Sequence, residues 1–304
     1  MRLDDLPESS NVEDRREEGG GFGGFGGLPG GRGGLGIGTI VVLGLVGWAL
    51  GIDPRLLIGG AEVVSGGSPY ETQAPVRNRP TGVPQDEMGR EVSKILGSTE
   101  VVWKDIFARD GKTYRAPTLV MYSGSTEARC GAAQSAMGPF YCPLDEKVYL
   151  DTSFFRELQT RFHGCDAGSR SCLFAQAYVI AHEVGHHVQK LLGILPRVQQ
   201  QQQAAQGKAA ANHLQVEVEL QADCLAGVWA NRSQERWKDL EPGDVDAALR
   251  TASAIGDDTL QRAQGRVVPD SFTHGTSAQR QRWFNSGFKG GTVASCNTFG
   301  ANQL

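Results

Sequence analysis

The chain lacks a surplus of charge. Thirty Lys and Arg stand against 34 Asp and Glu, a net charge of -4 over 304 residues, so there is no electrostatic case for a nucleic-acid partner. It also lacks the close CxxC pairs of a four-cysteine zinc site, because its six cysteines fall at 130, 142, 165, 172, 224 and 296. Charge is absent from LGIGTIVVLGLVGWALGI (residues 35–52), and Leu56, Leu57 and Ile58 extend this run. A membrane-crossing helix needs roughly 20 apolar residues. The run shows neither the amphipathic face of a core helix nor a small-residue signal cleavage site, so residues 35–58 are expected to form one transmembrane anchor. Basic residues are missing on one side of it: Arg15, Arg16 and Arg32 precede the span, whereas after Arg55 none occurs until Arg77. The positive-inside rule then puts the N-terminus in the cytoplasm and the remainder in an extracytoplasmic, periplasmic position.

Glycine is abundant, with 41 residues concentrated in GGGFGGFGGLPGGRGG (residues 19–34). Such a stretch buries too little apolar surface to order itself, and residues 1–34 read as a disordered cytoplasmic tail. Residues 59–84, rich in Gly, Pro, Ser and Thr, read as a linker, leaving residues 85–304 as the folded domain. Within it, helical patterns at 86–96 and 100–107 precede strand signals at TLVMYSG (118–124) and KVYLD (147–151). The rest is mainly helical, giving an α+β layout with a small sheet. Cys130 with Cys142 and Cys165 with Cys172 lie in polar, glycine-containing stretches that suit short disulfide loops and an oxidising compartment. The pairing of Cys224 and Cys296 stays open.

Residues 173–192, LFAQAYVIAHEVGHHVQKLL, place small or apolar side chains at Phe174, Ala177, Tyr178, Ala181, Val184, Val188 and Leu191, the period of a helix packed on a core. Gly193 and Pro196 supply its stop. HExxH falls in the middle, so His182 and His186 share one face and can grip one metal ion with Glu183 beside it. His187 is rotated about 100° away and is assigned to packing or a surface hydrogen bond. Gly185 leaves room for another segment to approach. A catalytic zinc site commonly has three protein ligands and one open position. In the next helix, VEVELQADCLAG, Glu219 is the third ligand and Asp223, one turn on, is the acceptor for a ligand imidazole N–H. Glu217 faces elsewhere on that helix. The five glutamines at 199–203 read as a polar connector or solvated helix.

AHEVGHHVQ and ELQADCLAG, together with GPFYCPLDEKVYLD (138–151), FTHGTSAQRQRWFNSGF (272–288) and the opening MRLDDLPESSNVEDRR, resemble the bacterial neutral zinc metallopeptidases, which are membrane-anchored zincins. The Glu219 to Asp223 spacing is also similar to the ExxxD element of gluzincins. The resemblance implies a zincin-like domain, Zn2+ as cofactor and endopeptidase action on a protein or peptide substrate. In that chemistry zinc lowers the pKa of its water towards 7 and Glu183 serves as general base. His274, in the THGTS turn, is the candidate oxyanion donor, with Arg280 as a helper; the bland alternative is that Thr273 or Ser277 caps the next helix. A substrate strand is expected to add to the sheet at KVYLD, where Tyr149 is read as packing. Two other functions fit the motif: a catalytically silent zinc module tethered to the membrane as an adaptor, and a metal-dependent hydrolase of a non-peptide bond.

Overall fold

Runs of β-branched and aromatic residues at 118–122 and 147–151 form short strands whose side chains leave alternate faces. The computed structural model describes residues 1–18, 79–134, 138–160, 171–263, 267–301 and 304. In it these runs become β2 (Thr118–Tyr122) and β6 (Lys147–Asp151), paired in parallel with Leu119 opposite Val148 and Met121 opposite Leu150. Those four side chains enter the main core, while Val120, Tyr122 and Tyr149 join a second cluster on the other face. The hairpin of β3 (Ser125–Ala128) and β4 (Gly131–Gln134) contributes Ala128 and Ala133 to that second cluster. Both faces of the central strands are therefore dry.

Two three-residue strands complete the sheet. β5 (Phe140–Cys142) pairs antiparallel with β6, and β1 (Val12–Asp14) pairs in parallel with β2, giving the order β1-β2-β6-β5. KVYLD is thus interior and not the expected edge; β5 is the edge on its side. The disulfide expected between Cys130 and Cys142 is present, with Cα atoms 5.8 Å apart. Cys224 and Cys296, left open by sequence, also form a disulfide. Cys165 lies outside the described residues, so its pairing with Cys172 does too.

Residues 1–18, expected in a mobile tail, belong to the fold. Met1, Leu6 and Val12 are buried in the main core, and Arg15 donates its backbone N–H to the Met121 carbonyl at 2.7 Å. Glu13 is buried between Arg15 (2.8 Å) and Lys147 (2.7 Å), an ion pair set that ties β1 to β6 across β2. The anchor segment itself lies outside the described residues, as do 19–34 and 59–78. Among the described residues no helix is long and apolar enough to cross a membrane.

Eight α-helices follow in the described chain: α1 (Glu87–Arg109), α2 (Ser153–Thr160), α3 (Ser171–Leu191), α4 (Ile194–Ala204), α5 (Lys208–Trp237), α6 (Asp244–Ala254), α7 (Asp257–Ala263) and α8 (Ser277–Gly290). The mixed architecture is mostly helical with a small sheet. α1 runs unbroken where two helices were expected, with Asp86 accepting the Gly89 N–H as its N-cap. On α3, Phe174, Ala177, Tyr178, Ala181, Val184 and Val188 are all at most 1% exposed, the expected core stripe. Each such large side chain contributes roughly 1.5–3 kcal/mol by leaving water. The glutamine run is the largely exposed C-terminal half of α4. α5 and α8 cross at contact distance because both are glycine there. A Cβ on Gly287 would sit 1.8 Å from the Cys224 carbonyl oxygen, and one on Gly227 would sit 2.1 Å from that of Phe284. This crossing fixes α8, and hence Arg280, against the Asp223 turn of α5.

Candidate metal centre

Spacing of four on α3 stacks His182 above His186, and spacing of four on α5 stacks Glu219 and Asp223. The two helices cross with Gly185 facing Ala222, where a Cβ would meet the Ala222 carbonyl oxygen at 3.1 Å. That close approach brings both imidazoles onto one carboxylate oxygen: His182 Nε2 is 3.2 Å and His186 Nε2 is 3.4 Å from Glu219 Oε2. One ligand atom from each of the three lies within 4.8 Å of the others. Ligands about 2.0–2.1 Å from a tetrahedral ion lie roughly 3.3 Å from one another, so the trio fits a zinc-sized ion with a position to spare. Glu217, by contrast, is beside His213 at 4.0 Å and stands outside the trio.

Both imidazoles point Nε2 at the ion position because Nδ1 is engaged behind them. His182 Nδ1 is 2.8 Å from Asp223 Oδ1. Asp223, fully buried, also accepts from Tyr178 Oη at 2.5 Å and from Arg280 Nε at 2.8 Å and a second guanidinium nitrogen at 3.0 Å. Arg280 therefore acts on the far side of Asp223 and is no oxyanion helper. His186 Nδ1 meets Gln189 Oε1 at 2.9 Å. Glu219 keeps its second oxygen on Gln215 Nε2 at 2.9 Å.

The charge balance is set by these contacts. Burial opposes the His182 cation, but Asp223, Glu219 and Glu183 override it and raise its pKa to about 10 without metal. Burial likewise opposes the Glu219 carboxylate, yet His186 and His182 hold it well below the usual range. A cation is thus what the pocket demands, and a metal entering it displaces a proton. Glu183, next to His182 and 8% exposed, has its carboxyl pKa pushed up by burial; the two histidines oppose that and Glu219 adds to it. A buried carboxyl beside a metal position is the arrangement that general acid–base work requires.

His187 is fully buried and does not join the site. Its Nε2 contacts the Arg115 carbonyl (2.6 Å) and its Nδ1 the Tyr141 hydroxyl (2.9 Å), so it links α3 to β5. His274 lies outside the ligand trio. Its loop nevertheless packs on the turn of α5 that carries Glu219, since a Cβ on Gly275 would meet Leu220 at 3.1 Å and Val216 at 3.3 Å. Asp257 clamps this loop: one oxygen accepts the N–H groups of Thr273, His274 and Gly275, and the other lies 3.2 Å from His274 Nδ1. The helix cap is neither Thr273 nor Ser277 but Thr276, in a capping box with Gln279.

Sequence reasoning missed Tyr178, Gln189, Gln215, Gln221 and Asp257. Three of these stood at helical spacing from a ligand: Tyr178 four before His182, Gln189 three after His186 and Gln215 four before Glu219. That spacing was the available signal.

The sheet and site together define a mixed α/β domain with a buried His-His-Glu centre and an adjacent carboxylate. Comparison with known proteins gives the class. The family described as "Putative neutral zinc metallopeptidase" matches residues 1–299, and the chain belongs to it. Among its relatives, "Uncharacterized protein YpfJ" of Escherichia coli is 50% identical over 301 residues, covering 99% of both chains. "Uncharacterized protein Rv2575" of Mycobacterium tuberculosis is 44% identical over 217 residues, covering 68% of this chain and 69% of its own. No solved structure matches.

Proposed function

We propose that this protein is a zinc-dependent endopeptidase of gluzincin type. The observation that carries the reading is the convergence of His182 Nε2 and His186 Nε2 on Glu219 Oε2, with Glu183 one residue along the same helix. A zinc ion held by these three would supply an acidified water and polarise the scissile carbonyl. Glu183, buried beside His182, would take a proton from the attacking water and return it to the leaving amine. His274 takes the role of donor to the developing oxyanion in this reading, supported by its Asp257 clamp and by the packing of its loop on the Glu219 turn. β5 offers the strand edge to which an extended peptide can add, and His187 keeps that edge in register with α3 through Tyr141.

The test is Glu183→Gln, with proteomic detection of cleaved peptides and zinc content measured on the same samples. Zinc should stay bound while cleavage falls by about 10²–10⁴-fold. Undiminished cleavage by the variant would sink the mechanism, and a zinc-loaded wild type that yields no cleavage products would favour the adaptor reading.

We also infer an extracytoplasmic location at a cell membrane. The two described disulfides support an oxidising compartment, and the β1–β2 pairing supports one side for residues 1–18 and 79–304. Reporter fusions to the two ends should therefore read the same, extracytoplasmic side; opposite sides would refute this arrangement.

A further inference from the structure

Behind His186 lies a chain of buried amides. Gln189 is fully buried and Gln221 is 6% exposed. Gln189 Nε2 donates to the Val218 carbonyl at 2.8 Å and to Gln221 Oε1 at 3.0 Å, and Gln221 Nε2 donates to the Cys296 carbonyl at 2.9 Å.

The direction of this chain is forced from its far end. A peptide carbonyl can only accept, so Gln221 must turn its NH2 to Cys296 and its oxygen to Gln189. Gln189 must then turn its own NH2 to Gln221 and to the Val218 carbonyl. Turning it over would bring its oxygen against two acceptors in a buried space, leaving both without a donor. Its oxygen is left facing His186 Nδ1 at 2.9 Å, and an oxygen there requires Nδ1 to carry hydrogen. In the neutral imidazole that metal binding requires, the lone pair then stands on Nε2, the atom 3.4 Å from Glu219 Oε2.

We propose that Gln189 and Gln221 are positioning residues that fix the tautomer and ring direction of His186, with the Cys296 carbonyl as the fixed end of the relay. The disulfide to Cys224, one residue after Asp223 on α5, holds that carbonyl in place. This rests on the His182, His186, Glu219 metal-site reading. The relay does for His186 what the Asp223 carboxylate does for His182, but without placing another charge in the pocket. Such partners typically change metal affinity by about 10–100-fold when removed.

The experiment compares zinc affinity of the full chain and its Gln189→Met and Gln221→Met variants by chelator competition, alongside the melting temperature of each metal-free protein. Gln189→Met should bind zinc about 10–100-fold more weakly. Gln221→Met, which removes one of the two acceptors that orient the Gln189 amide and leaves the Val218 carbonyl, should show a smaller loss in the same direction. Zinc affinity within about twofold of wild type in both variants, with only melting temperature lowered, means packing alone and overturns the proposal. If Gln189→Met does not fold, Gln221→Met decides by the same criterion. A wild-type chain that binds no zinc removes the metal-site reading itself, whereas zinc-binding wild type with unaffected variants removes only the relay.

Discussion

The two ligand histidines stand one helical turn apart and are held by opposite means. Behind His182 is a buried carboxylate, Asp223, which is tolerable only because Arg280 and Tyr178 bond to it in turn. Behind His186 is a neutral amide, Gln189, whose orientation is dictated by a string of dipoles ending on a backbone carbonyl. Both arrangements present Nε2 to the same carboxylate oxygen. The difference teaches that one pocket can set two tautomers while burying only one supporting charge, and that the charged support should matter far more to stability than the neutral one.

Breaking the charged side should have the largest effect. Arg280→Met leaves Asp223 buried without its cation, and loss of one partner from a buried pair costs about 3–5 kcal/mol. Urea unfolding of the metal-free protein should show it, and a change under 1 kcal/mol would mean that Asp223 is compensated some other way.

The pH dependence sharpens the same contrast. His182 is raised to about 10 in the metal-free protein, so its contribution is fully present below the unfolded value of about 6.5 and is lost as pH rises towards 10. Asp223 is depressed, so its contribution is present above roughly pH 4 and is lost as pH falls further. Metal-free protein should therefore lose stability between about pH 6.5 and 10 while zinc-loaded protein, which needs a neutral imidazole, does not. Melting curves across that range check this, and parallel curves for the two forms would contradict it.

The smallest change is expected from Tyr178→Phe, which removes one hydrogen bond to Asp223 and leaves Arg280 in place. A loss of about 1.5–3 kcal/mol of stability is expected, less than that for Arg280→Met, read by the same urea titration.

The local parts of this site were legible because helical spacing is local. His182, Glu183, His186, Glu219 and Asp223 follow from spacings of one and four, and β6 follows from a bounded run of strand formers. What escaped depends on contacts far along the chain. β1 has only three residues and gains its place from β2, more than 100 positions later, so nothing near Val12 announced a strand. The interior place of KVYLD likewise follows from the three-residue β5 beside it. Gln189 and Gln221 look like surface polar residues until α5 is laid against α3, and the place of Arg280 behind Asp223 follows only from the packing of α8 on α5. The continuity of α1 through Gly97, Ser98 and Thr99 reflects burial of that turn, where weak local propensity suggested a break.

The most direct test of the central claim is X-ray absorption at the zinc edge of the loaded full chain. Two imidazole nitrogens and carboxylate oxygen are expected at about 2.0–2.1 Å, with a further light atom and no sulfur. A sulfur neighbour at about 2.3 Å, or a single imidazole, would contradict it.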